Sequence, residues 1–254
     1  PRTVIFGGVG TAYNIGKYEV TAGQYTAFLN AVAKADPNGL YNFPMGSSLV
    51  PFPTNIRRTG SSPNYSYSVA ADWANRPVNY VSFWDAARFA NWLHNGQPTG
   101  PQGPGTTEDG AYHDVDNPTL FGRNAGARFF LPTEDEWYKA AYHNKSAGLA
   151  ASYFDYSTGS NTAPINTLPD PGNHANFFDS MGTGNLFYTI GSPYYRTEVG
   201  AFSNSSSPYG TFDQGGNVWE VTETTTVNGL SGYRVYRGGA VSPNGADLGA
   251  ACRY

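Results

Sequence analysis

The sequence predicts an α+β fold with short sheets, about three helices and extensive irregular loops. Three observations lead there. Glycine (31 residues) and proline (18) punctuate the whole 254-residue chain and interrupt any long regular element. Apolar residues recur at helical spacing in three places, each preceded by a Thr or Ser positioned to cap a helix. Short runs of alternating apolar and polar residues, or of β-branched and aromatic ones, supply the strands.

After a Gly-rich entry from Phe6 to Gly10, Tyr13 to Val20 alternates like a strand. Thr21 then stands where an N-cap is wanted, and Tyr25, Phe28, Leu29 and Val32 form the buried face of a first helix, ended by Asp36-Pro37-Asn38-Gly39. Residues 40–75 are rich in Pro, Ser, Asn and Tyr without clear period, and read as a long surface excursion packed by its own aromatics. Ser82 with Asp85 three residues on is a capping-box start, and Ala86, Phe89, Ala90 and Leu93 make the buried stripe of a second helix closed by Asn95-Gly96. Residues 97–124 read as loop. Arg128-Phe129-Phe130-Leu131-Pro132 is a short strand before Thr133-Glu134-Asp135-Glu136, a capping box that opens a third helix through His143. Residues 145–207 carry little periodicity, so their backbone polar groups need side-chain, water or metal partners. Gly216 to Val221 and Gly232 to Ala240 read as short strands. No repeat and no charged or low-complexity linker divides the chain, so residues 1–254 are read as one domain.

Composition excludes several classes of function. Net charge is −4, charged residues make up only 13%, and no basic run exceeds Arg57-Arg58, so the footprint of a nucleic-acid or anionic-membrane binder is missing. No run of about 18 apolar residues argues for membrane insertion. A single cysteine, Cys252, amid abundant Tyr, Asn, Ser, Thr and Gly fits an exported protein, secreted or at the cell surface. Cys252 is expected to be a small buried hydrophobe. His94, His113, His143 and His174 are scattered without metal-ligand spacing, and Asp114 and Asp116 beside His113 read as a solvated turn. No nucleophile elbow or phosphate loop is present.

Four blocks in order carry a resemblance: Ile15-Gly16-Lys17-Tyr18-Glu19-Val20-Thr21; Arg76-Pro77-Val78-Asn79-Tyr80-Val81-Ser82-Phe83-Trp84-Asp85-Ala86; Arg128-Phe129-Phe130-Leu131-Pro132-Thr133-Glu134-Asp135-Glu136-Trp137; and Tyr209-Gly210-Thr211-Phe212-Asp213-Gln214-Gly215-Gly216-Asn217-Val218-Trp219-Glu220 with Tyr236-Arg237-Gly238-Gly239-Ala240. Together they resemble the formylglycine-generating enzyme (sulfatase-modifying factor) family, and more closely its bacterial exported branch, over roughly the whole chain. The resemblance implies a C-type-lectin-like fold. It also implies, for the oxidase members, copper held by two cysteines shortly after the Arg-Gly-Gly strand. The matching stretch here, Ala240-Val241-Ser242-Pro243-Asn244-Gly245-Ala246-Asp247-Leu248-Gly249, contains no cysteine. Two thiolates select soft Cu(I), whereas carboxylate and carbonyl oxygens suit it poorly. Copper is therefore not expected. The family's last strand, after the Arg resembled by Arg253, is also expected to be missing beyond Tyr254.

What the resemblance implies for metals is structural calcium at Asp213, Gly216, Val218 and Glu220, where an acidic or amide side chain, two backbone carbonyls and the Glu of the Trp-Glu pair bind the ion. Six to eight oxygens around Ca2+ make that spacing chemically sensible. A second family calcium position resembles Asn176 and Phe177. Asn244, Asp247, Arg253 and Tyr254 lie where binding relatives present a ligand surface, with Trp219 nearby and expected in the core. The leading expectation is a non-catalytic exported surface or extracellular-matrix protein that self-associates. The alternatives are a monomeric lectin-like module for a glycan or protein ligand, and a copper-dependent formylglycine-generating oxidase.

Overall fold

Three helices begin where a hydroxyl caps them. The structure is a computed structural model that describes residues 6–147, 152–180, 182, 184–226, 233–241 and 248–254. Thr21, Ser82 and Thr133 each accept a hydrogen bond from the third helical residue, and Gln24, Asp85 and Glu136 bond back to the cap, opening α1 (Ala22–Val32), α3 (Phe83–His94) and α4 (Glu134–Tyr142). Each cap is worth about 1 kcal/mol to its helix. A single turn, α2 (Ala71–Ala74), precedes α3 and has no side-chain cap. Short helices, small two-stranded sheets and long irregular connections make this the expected α+β architecture. The chain divides into two compact units, one of Val20–Leu131 and one of Pro1–Glu19 with Pro132–Tyr254.

In the Val20–Leu131 unit, the predicted face of α1 (Tyr25, Phe28, Leu29, Val32) packs on Leu40, Met45, Ile56, Tyr67 and Trp92. Phe28 meets Phe89 edge-on, ring centroids 5.3 Å apart, which fixes α1 against α3 beyond simple area burial. The stretch read as an irregular excursion contains a hairpin, β1 (Ile56–Thr59) with β2 (Ser66–Val69), paired Ile56 to Val69. Its sequence hid it because Ile56 alone in β1 and Tyr67 alone in β2 are buried, so no alternation is written into either strand. Two further residue pairs, β3 (Tyr112–His113) and β4 (Gly122–Arg123), close a loop around buried Arg88. Arg88 pairs with Glu108 on one side and Asp116 on the other, so Asp116 serves an ion pair as well as a turn. The expected strand at 128–132 does not form. The Leu131 N–H donates instead to the Tyr112 hydroxyl at 2.8 Å.

In the other unit, Trp137 and Tyr142 of α4 are fully buried and Tyr138 packs beside them. A small hairpin, β5 (Phe178–Asp179) with β6 (Phe187–Tyr188), is followed by β7 (Glu220–Thr225) and β8 (Arg234–Arg237), which pair antiparallel with a bulge. β7 begins at Glu220 and not at Gly216, because Gly216 and Asn217 have φ of 103° and 57°, outside the range of a strand. Residues 13–20 are likewise not a strand. Their contacts are isolated, such as the Phe212 N–H donating to the Lys17 carbonyl. Tyr254 exchanges two backbone hydrogen bonds with Tyr236, adding one rung beside β8.

A buried ion pair ties the start of α4 to β8. Arg237 is completely buried and donates from Nε to Glu134 Oε1 at 2.8 Å, while its Nη1 donates to the carbonyls of Ala250 and Cys252. Arg253 completes the arrangement by donating to Glu134 Oε2 at 2.8 Å. Counting Nη2, which also donates to Glu134 Oε1, four of the five N–H groups of the guanidinium at 237 find acceptors among the described residues, close to the condition under which a buried charge is tolerated. No helix among the described residues is long and apolar enough to cross a membrane.

Candidate functional site

The Gly-Gly-Asn-Val-Trp-Glu segment folds as a left-handed loop. Asp213, Gly216 and Asn217 all have positive φ, as do Gly238 and Gly239 beside them. Two glycines are required sterically: a Cβ at Gly216 would stand 2.3 Å from the Asn176 carbonyl, and one at Gly238 would stand 2.7 Å from the Gln214 carbonyl. The loop is held by the Gly216 N–H donating to the Gly238 carbonyl and the Asn217 N–H donating to the Asn176 carbonyl, both at 2.7 Å. Neither the Gly216 nor the Val218 carbonyl is used by a backbone N–H among the described residues.

Asn217 is the hub. Its Oδ1 accepts from Asn176 Nδ2 at 2.8 Å and from the Thr197 N–H, and its Nδ2 donates to Glu19 Oε2 at 3.0 Å. Asn176, which the resemblance assigned to a second calcium position, thus sits next to the loop, while Glu19 and Asn217 join it without having been singled out. The signal was in the sequence: Glu19 belongs to the first block and Asn217 to the fourth. At this hub two buried oxygens, Glu19 Oε1 and Asn176 Oδ1, have no hydrogen-bond partner among the described residues. Unpaired acceptors in a dry interior are costly unless something supplies a donor or a positive charge.

Three carboxyl groups meet electrostatically here. Burial, with the nearby Asp213 and Glu220 charges, pushes Glu19 well above its ordinary value. Burial raises Asp213 to about 6, opposed by the Gly200 N–H that donates to it. Burial also raises Glu220 to about 7, opposed by the Trp137 indole N–H at 2.8 Å and reinforced by Asp213. Negative charge is therefore poorly accommodated, and a cation would relieve it. Among the described residues no group of three His, Cys, Asp or Glu side chains is placed around a single ion. Any ion held here takes carbonyl and water oxygens as well as carboxylates.

Of the expected surface residues, Arg253 is occupied by Glu134, and Tyr254 is exposed and packs edge-on against Trp219 at 5.0 Å. Trp219 keeps part of its surface in solvent, unlike the fully buried Trp137. Asn244 and Asp247 lie outside the described residues. Cys252 is half-buried, so its expected full burial does not occur, and its carbonyl accepts from Arg237.

The chain matches the sulfatase-modifying factor enzyme 1-like domain across residues 9–253. Among solved structures it is similar to the crystal structure of CarF, at 24% identity and a TM-score of 0.49 over 93% of this chain and 77% of that one. A search of curated proteins found no match. With almost its whole length matched by one family, carried by blocks that build the loop around Asn217, this chain belongs to the sulfatase-modifying factor enzyme 1-like, or formylglycine-generating enzyme-like, family.

Proposed function

We propose that this chain is a non-catalytic member of its family, an exported surface or matrix component that associates with copies of itself and whose Asp213–Glu220 loop is ordered by calcium. The observation that carries the reading is the cysteine count: Cys252 is the one cysteine of the 254 residues, and residues 240–249, which follow Arg237-Gly238-Gly239, have none. A pair of thiolates is what would hold and activate Cu(I), and a single thiol does not replace it.

Calcium is supported by donor chemistry. Asp213 and Glu220 supply carboxylates, and the Gly216 and Val218 carbonyls are not engaged by other backbone groups among the described residues. These are hard oxygen donors of the kind Ca2+ requires, and the raised carboxyl groups of Asp213 and Glu220 are relieved by a cation. Bound there, calcium supplies charge neutralisation and fixes a loop whose backbone is otherwise left-handed at several residues.

Self-association is supported by a surface with little charge. Charged residues are 13% of the chain, about half the usual share, so mutual repulsion between copies is low. Large apolar side chains including Leu49, Phe43, Leu186 and Tyr233 are exposed. Multi-angle light scattering across a concentration series, with calcium and with EDTA, tests this reading. Large assemblies in calcium that shrink in EDTA are expected. A monomer at all concentrations in both buffers would contradict it and favour a lectin-like binding module.

A further inference from the structure

We draw no further inference here: the strongest candidate, the aromatic surface patch on the β5–β6 hairpin where half-exposed Phe187 packs against Phe178 and Phe178 against Tyr188, is an apolar face, and nothing in the structure shows what covers it.

Discussion

The indole N–H of fully buried Trp137 donates to the Glu220 carboxylate at 2.8 Å, joining α4 to the first residue of β7. Trp137→Phe keeps most of the apolar volume but leaves Glu220 without that donor. A loss of about 2 kcal/mol is expected, combining an unmade bond to a charged group with a small void. Urea denaturation at neutral pH measures it.

The Glu134–Arg237 pair makes a larger prediction. Arg237→Leu removes the cation and leaves the Glu134 carboxylate buried, with the half-exposed Arg253 as its remaining ion-pair partner. Breaking a buried pair in this way costs roughly 3–5 kcal/mol. The double variant Glu134→Met with Arg237→Leu is expected to recover a good part of that loss, because no buried charge is left unpaired and Arg253 can turn to solvent. Chemical denaturation of the two variants side by side checks both expectations.

The backbone of the loop gives a third. Gly216→Ala places a methyl group against the Asn176 carbonyl at a residue whose φ is 103°. Both the clash and the strain act in the folded state, so destabilisation of about 2 kcal/mol or more is expected, with weaker calcium binding. A thermal melt in calcium and in EDTA separates the two effects, since the loss of calcium stabilisation disappears in chelator.

The carboxyl groups set a pH dependence. Glu220 is raised to about 7 and Asp213 to about 6, both by burial, from ordinary values of 4.5 and 3.8. A raised carboxyl binds its proton more tightly in the folded state than in the unfolded chain. Its contribution to stability is therefore complete below about pH 4 and is lost as pH rises to about 7. In EDTA, the melting temperature is expected to fall across that window, and Glu220→Gln is expected to flatten the fall. Calcium reverses the trend, because it binds the ionised form. A melting temperature that rises steadily from pH 4.5 to 7 in EDTA, in wild type and Glu220→Gln alike, would contradict the electrostatic picture.

Local chemistry explains how much of this was legible beforehand. The caps at Thr21, Ser82 and Thr133 lie within three residues of their partners, so α1, α3 and α4 are written locally and appear where expected. The bond between Glu19 and Asn217 spans 198 positions, so although each residue lies in a resembling block, only the fold pairs them. The β1–β2 hairpin escaped notice because one buried residue per strand leaves no period to detect. The strand expected from Gly216 starts four residues later because positive φ at Gly216 and Asn217 turns the chain first.

The central claim is that a family member with one cysteine does not perform the family's oxidation. The most direct measurement is aerobic incubation of the full chain with Cu(I) and a cysteine-containing sulfatase-type peptide, followed by mass spectrometry for the aldehyde. No aldehyde above the level of copper alone is expected. Aldehyde formed over many turnovers, and abolished by Cys252→Ser, would contradict the claim and make the protein an oxidase working from a single thiol.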